Sequence, residues 1–172
     1  MSLGSTIIVD RIGALFKNHH DVLYRYLVRL SGDPDVAADA AQEAFVRLLE
    51  RPPMGNAERP WLFKVATNYL FENRRTAARR ARLIDGRAEE TMADAPHDPH
   101  SRVEALHRGQ VVMAALNRLG EKERVAILMR EEGFSYREIA DALGTTTGSI
   151  GTLLARALEH LARDTALNRE AL

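Results

Sequence analysis

The sequence predicts an all-α protein with two small helical domains joined by a flexible linker. Apolar residues recur at spacings of three and four along most of the 172 residues, and the apolar–polar alternation typical of strands is absent. Residues 83–101 are acidic, contain two prolines and lack a strong apolar pattern, as linkers do. We therefore expect one domain over residues 6–82 and a second over residues 102–165.

Two helices are expected to open the first domain. Apolar positions predict a helix from about residue 7 to residue 31, and the polar "NHH" at 18–20 leaves open whether it is one helix or two. Asp33 and Pro34 have the order of an N-cap followed by proline at the first helical position. A second helix is therefore expected from there to about Leu49, with Leu49 among its inward residues.

A loop and a third helix complete the first domain. "RPPMGNAER", residues 51–59, predicts a loop, because two prolines and a glycine interrupt a helix. Pro60 then begins a helix that runs to about Arg82.

Four helices are expected in the second domain. Ser101 with Glu104, and Ser135 with Glu138, have the spacing of capping boxes. Gly133 and Gly144 are expected to end helices. The predicted bounds are Ser101 to Leu119, Glu121 to Glu132, Ser135 to Gly144 and Thr147 to Arg163.

Composition excludes several classes of protein. The chain has no cysteine, which excludes disulfide frameworks and Cys-based zinc sites. No apolar run is long enough to span a membrane and the N-terminus does not resemble a signal peptide, so we expect a cytoplasmic protein without membrane insertion. His97, His100 and His107 have no further ligand forced near them, and we predict no metal site.

Charge is balanced overall and clustered locally. The formal net charge is zero, which gives no general indication of nucleic-acid binding. One stretch without any acid nevertheless holds five arginines: Arg74, Arg75, Arg79, Arg80 and Arg82.

The two helices around Gly144 predict a helix-turn-helix. Ala140 is small where two helices must cross closely, and Ile139, Leu143, Ile150 and Leu154 would form a shared core. An ordinary helical hairpin is the alternative.

Two other helix faces suggest binding surfaces. In the third helix, aromatic residues alternate with cations and an amide along one face, a combination suited to phosphates, base edges and unpaired bases. The residues are Trp61, Lys64, Asn68, Phe71, Arg75, Arg79 and Arg82. The alternative is that the aromatics are core and the arginines a solvated end. The second helix has a polar outer face. On this pattern alone, an ordinary amphipathic helix with one solvated side explains that face.

Three stretches of the sequence resemble one protein family. "DAAQEAFVRLL", "RPWLFKVATNYLFENRR" and "LNRLGEKERVAILMREEGFSYREIADALGTTTGSIGTLLARALEHL" resemble the extracytoplasmic-function sigma factors of bacteria, and the resemblance covers about residues 10–163. It implies that the first domain is sigma region 2 and the second sigma region 4. It also implies no catalytic residues and no cofactor, since a sigma factor lends promoter recognition to core RNA polymerase.

The resemblance assigns roles to individual residues. It implies that polymerase is contacted by Asp39, Gln42, Glu43 and Arg47. Recognition and melting of the −10 element fall to Asn56, Arg59, Trp61, Lys64, Asn68, Arg74 and Arg75, with Asn56 and Arg59 as candidates for capturing a flipped base. Recognition of the −35 element falls to Arg137, Thr146, Thr147, Ser149, Thr152 and Arg156.

The resemblance also implies partners beyond polymerase and promoter DNA. A cognate anti-sigma factor is expected, and the acidic linker would pass through the polymerase channel, although a plain solvated tether explains its composition too. A free-standing helix-turn-helix repressor is a rival, yet residues 135–161 hold only two arginines against three acids. A sigma-like adaptor that binds only proteins is a second rival, and the receiver domain expected beside it is absent.

The predicted recognition helix poses a question of its own. Its DNA-facing side carries Gly148, Gly151, Thr152 and Ala155, with Arg156 as the only cation. Either the helix has degenerated, or its small face lets it sit deep in the major groove and read partly through DNA shape. We favour the second interpretation, because several hydroxyl side chains suit short-range contact.

Overall fold

The described residues form seven helices in two units. A computed structural model describes residues 3–55, 57–85 and 103–170. The first unit contains α1 (Leu3–Ser31), α2 (Pro34–Glu50) and α3 (Glu58–Asp85). The second contains α4 (Val103–Arg118), α5 (Glu121–Glu131), α6 (Tyr136–Leu143) and α7 (Thr147–Glu170). The predicted all-α class and the two helical units are thereby confirmed.

The first helix is continuous through residues 18–20, so of the two possibilities left open by the sequence the single helix is correct. These positions hold neither proline nor glycine, and three rings four residues apart stack along the helix across them. The His20 ring lies 4.3 Å from Phe16 and 6.2 Å from Tyr24, measured between ring centroids. The helix ends at Gly32, whose φ of 77° suits glycine, and the Gly32 amide donates to Val28.

The second helix begins at the predicted cap. The Asp33 carboxylate accepts hydrogen bonds from the backbone amides of Asp35 and Val36, at 2.8 and 3.2 Å. Four alanines are completely buried along its inner side, and they let α2 lie close to its neighbours α1 and α3. They are Ala37, Ala40, Ala41 and Ala44. We expected Leu49 to be inward, and this is wrong: 49% of Leu49 is exposed, since Leu48 already occupies the inward position one residue before.

The third helix completes the bundle. It begins at Glu58, two residues before the expected start, because Pro60 is accommodated in the first turn, where a backbone amide needs no helical partner. Its inner side buries an apolar row completely: Leu62, Phe63, Ala66 and Leu70. The buried Thr67 hydroxyl meets the Tyr26 hydroxyl of α1 at 2.8 Å.

The second unit is held by its turns as well as its core. Ser135 and Glu138 form the predicted capping box, with the Glu138 carboxylate accepting from the Ser135 amide at 2.8 Å. Arg124, only 8% exposed, donates to Asn117 and Leu119 and so fixes the turn between α4 and α5. The predicted capping box at Ser101 lies outside the described residues. Helix α7 continues to Glu170, beyond the expected end at Arg163.

Two features of the described residues concern membranes and metals. No helix there combines the length and apolar character needed to cross a membrane. Within the same residues, no three His, Cys, Asp or Glu side chains are grouped so that they could hold a metal ion. His97 and His100 lie outside the described part of the chain.

Candidate protein-binding and nucleic-acid-binding surfaces

The outer side of α2 presents the polar residues expected to meet a protein partner. Asp39 and Gln42 are exposed, while Glu43 and Arg47 are half-buried. Glu43 accepts from the Arg47 guanidinium at 2.8 Å, and that guanidinium lies 5.6 Å from the centre of the Tyr69 ring on α3. Arg47 therefore joins the polar surface of α2 to the next helix, and the four residues form one continuous patch.

Apolar side chains accompany these polar ones. Val46 is 40% exposed and Leu49 is 49% exposed, and both lie on α2 beside the Glu43–Arg47 pair. An apolar area bordered by charges is typical of a protein–protein interface. The assignment of Leu49 to the core concealed this apolar area in the sequence.

The loop between α2 and α3 leads to an ion pair at the start of α3. Met54 is 96% exposed, and Gly55 has a φ of 75°. Asn56, a candidate for base capture, lies outside the described residues. Glu58, the first residue of α3, forms an ion pair with Arg11 of α1, and the Glu58 side chain is 12% exposed.

Charges gather around this first turn of α3. The Arg59 guanidinium lies 5.5 Å from the centre of the buried Phe63 ring. Burial lowers the pKa of His19 on α1, and the nearby Arg59 cation lowers it further, while the Glu58 carboxylate opposes this. The pKa of Glu58 is itself lowered, first by its hydrogen bond to its own backbone amide and then by its hydrogen bond to Arg11.

The residues of the predicted nucleic-acid face of α3 differ in exposure. Trp61 and Lys64 are half-buried and Asn68 is exposed. Phe71, in contrast, is 9% exposed and belongs to the core, which is the alternative left open for the aromatic residues. Buried positions at Leu70 and Phe71 show that the core side of α3 extends one residue further round than the pattern suggested.

The arginines of α3 differ in their surroundings. Arg74 donates to the Ser31 carbonyl at 2.9 Å and so satisfies an acceptor at the end of α1. Arg75 and Arg79 are exposed and line one surface cleft together with Glu72 and Thr76. Arg75 and Arg79 are therefore better placed than Arg74 to meet a phosphate. The Arg82 side chain lies outside the described part of the chain.

Helices α6 and α7 form the predicted helix-turn-helix. Gly144 has the left-handed conformation, with φ 58° and ψ 41°, and ends α6 as expected. Ile139 and Ile150 are completely buried and Ala140 and Leu154 nearly so, whereas Leu143 is half-buried. The shared core is therefore present.

The exposed face of α7 is small and polar. Thr146 and Ser149 join their hydroxyls at 2.8 Å, and the Ser149 amide donates to the Thr146 carbonyl at 3.0 Å. A Cβ atom added at Gly148 or Gly151 would meet nothing within 4 Å. The remaining candidates for DNA contact are exposed: Arg137, Thr147, Thr152 and Arg156. Two of the predicted hydroxyls thus stabilise the helix start, and two are presented outward.

Comparisons with known proteins agree with this arrangement. Residues 15–80 match the model of Sigma-70 region 2, and residues 109–161 match that of Sigma-70, region 4. The chain is 34% identical over 154 residues to the ECF RNA polymerase sigma factor SigL of Mycobacterium tuberculosis, which covers 86% of this chain and 85% of that protein. It is 30% identical over 152 residues to the ferric citrate uptake sigma factor FecI of Escherichia coli, with 86% of each chain covered.

Solved structures are similar as well. The sigma factor RpoE from Bartonella quintana, solved in complex with the anti-sigma factor NepR, aligns with a TM-score of 0.74 and 25% identity. The alignment covers 90% of this chain and 96% of that one. CnrH, solved with the cytosolic domain of CnrY, aligns with a TM-score of 0.63 and 19% identity, which supports the fold.

Proposed function

Because the chain belongs to the extracytoplasmic-function family of RNA polymerase sigma factors, we propose a division of work between its surfaces. The chain binds core RNA polymerase and directs promoter-specific transcription initiation. In the proposal, α2 docks on polymerase, the start of α3 recognises and opens the −10 element, and the helix-turn-helix reads the −35 element. Sigma factors in general are not enzymes, and we assign this chain no catalytic residue.

The helix-turn-helix provides the observation that carries the proposal. Its scaffold is complete, yet residues 135–161 offer only two arginines against three acids. Phosphate neutralisation supplies most of the affinity of a free DNA-binding domain, so this one is poorly suited to binding DNA alone. A reader with few cations suits a factor that polymerase holds on the promoter.

For α2, the support is an exposed patch with both polar and apolar members. Asp39, Gln42, Glu43 and Arg47 supply charge and hydrogen bonds, while Val46 and Leu49 supply apolar area. We propose that this patch binds the largest subunit of core polymerase. Polar rims around apolar centres fit stable interfaces.

For α3, we propose that its first turns contact the unpaired −10 strand and that its later residues contact phosphates. Arg59 and Trp61 lie in the first turns, next to the loop that includes Asn56, and are assigned to the unpaired −10 strand. Lys64 and Asn68 follow at helical spacing, and the exposed Arg75 leads in holding phosphate. Arg74 donates one N–H to the Ser31 carbonyl, and its other guanidinium N–H groups contribute to holding phosphate.

Two further assignments belong to the proposal. We propose that a cognate anti-sigma factor regulates the chain, since the structurally similar sigma factor RpoE was solved with the anti-sigma factor NepR. We also propose that it acts in the cytoplasm, where its polymerase partner works, and that the acidic linker 83–101 passes through the polymerase channel.

A run-off transcription assay with core polymerase tests the function. Adding the protein should produce transcripts from its promoter, and core polymerase alone should not. Sequencing the 5′ ends of RNA made on overexpression identifies that promoter first. A protein that binds promoter DNA without polymerase and never produces a transcript would contradict the proposal and favour a repressor.

A further inference from the structure

The ion pair between Arg11 and Glu58 joins the beginning of α1 to the first residue of α3. The two residues are 47 positions apart in sequence. The Glu58 side chain is 12% exposed, whereas Arg11 is 60% exposed and reaches across from α1. Glu58 also carries negative charge at a helix N-terminus, where the helix dipole favours it. The pair therefore fixes the starting point of α3 against another helix.

The described residues just before α3 are exposed. Met54 is almost fully exposed and Gly55 adopts a left-handed conformation at the loop tip. In the first turn itself, Arg59 is held over the Phe63 ring. Movement of Glu58 would therefore move the backbone that presents Arg59 and Trp61.

We propose that Arg11 and Glu58 are positioning residues, which hold the first turn of α3 so that Arg59 and Trp61 meet the −10 element in the correct geometry. The proposal rests on the function proposed above for the start of α3. It makes −10 recognition depend on α1, a helix to which we assign no DNA contact.

A purely structural role would give a different result. Ion pairs with an exposed partner contribute little to stability, and their loss would lower melting temperature slightly and affect all promoters alike. A positioning role predicts loss of discrimination between −10 sequences at nearly unchanged stability and unchanged polymerase affinity.

The experiment is a neutral double-mutant cycle in holoenzyme. The variants are Arg11→Met, Glu58→Gln and the double variant, with Arg11→Lys as conservative replacement. Arg25→Met removes another exposed arginine of α1 and serves as the matched control. Open-complex formation is measured on promoters with each of the four bases at every −10 position, and Arg59→Ala first identifies the position that Arg59 reads.

At that position, each single variant should reduce the preference for the best base about tenfold, within the usual value of one base contact. The double variant should lose no more than the singles, since one interaction is removed in all three. Arg11→Lys and Arg25→Met should retain wild-type discrimination. Polymerase affinity and thermal unfolding, measured on the same proteins, establish that the variants are folded.

Two results would overturn the inference, and they are distinguishable. If Arg59→Ala alters discrimination while Arg11→Met and Glu58→Gln do not, the positioning role is wrong and the function of α3 stands. If Arg59→Ala alters discrimination at no −10 position, the proposed role of the α3 start is wrong and the inference is overturned with it.

Discussion

The hydroxyls of Tyr26 on α1 and Thr67 on α3 meet at 2.8 Å in the interior of the first unit, where both residues are fully buried. Thr67→Val keeps the shape of the side chain and removes this hydrogen bond. We expect the free energy of unfolding to fall by about 1–3 kcal/mol, because the Tyr26 hydroxyl stays buried and loses this partner. Denaturant titration measures it. The Tyr26→Phe, Thr67→Val double variant should lose less than the two singles added together, and strict additivity would contradict the coupling.

Stability should also depend on the protonation of His19. In the folded chain its pKa lies below the ordinary 6.5, chiefly because of burial. As pH falls below 6.5, the unfolded chain therefore takes up this proton before the folded chain does, and the free energy of unfolding decreases. Above 6.5 the residue makes no such contribution. Unfolding of wild type and His19→Asn across this range should give a shallower slope for the variant, and parallel curves would contradict the assignment.

Glu43→Lys should abolish binding to core polymerase and leave the fold intact. The change reverses a charge in the α2 patch and places a lysine beside Arg47, four residues on. Such like-charge pairs cost only a few tenths of a kcal/mol, which the bundle tolerates. Affinity for core polymerase is measured together with circular dichroism. Glu121→Lys, an exposed position on α5, is the matched control. Unchanged affinity of Glu43→Lys would exclude α2 as the docking surface.

Trp61→Ala should impair open-complex formation on duplex promoters much more than on templates whose −10 region is already unpaired. Such a difference between the two templates would mean that the half-buried Trp61 acts in melting rather than in packing. Equal defects on both templates would indicate lost packing instead, which for a fully buried tryptophan costs about 3–5 kcal/mol. Thermal unfolding of the same variant separates the two causes, because only the second lowers the melting temperature strongly.

Gly151→Ala should stabilise α7 and weaken promoter use together. A Cβ at this helical position meets nothing within 4 Å, so alanine should gain about 1 kcal/mol in helix stability. If the helix lies deep in the major groove, the same methyl group collides with DNA and transcription from promoters with an intact −35 element falls. Arg156→Ala, which removes an exposed cation from α7, should also reduce transcription. Gly151→Ala transcribing as well as wild type would favour the degenerate interpretation.

Local signals in the sequence predicted local structure well. The Asp33 cap, the capping box at Ser135 and the left-handed Gly144 each depend on residues within a few positions of one another. The spacing of apolar residues predicted burial less reliably at the edge of a buried helix face, where a shift of one residue changes whether a side chain is buried or exposed. Leu49 was placed in the core, which is wrong, and for Phe71 the pattern left open whether it is core or surface.

Contacts between distant segments could not be predicted from the sequence. Arg11 pairs with Glu58, and Arg74 donates to Ser31, only because α1 and α3 pack side by side. The arginines around residue 74 are neighbours in sequence, yet Arg74 donates to Ser31 whereas Arg75 and Arg79 line a surface cleft. The exposure of Asp39 and Gln42 agrees with the role that the resemblance gave them, and that role stays a prediction.

The four buried alanines of α2 make this helix a spacer of fixed width. At these four positions only methyl groups lie between its backbone and its neighbours, so the distance between the proposed polymerase patch and the proposed DNA surface of α3 has little freedom to vary. Larger residues at these positions would push the helices apart and shift the −10 surface relative to polymerase. Mutations in the bundle should therefore be tolerated unequally. A surface change alters one contact at a time. A single methylene added in the alanine row would disturb the proposed contacts with polymerase and with the −10 element together.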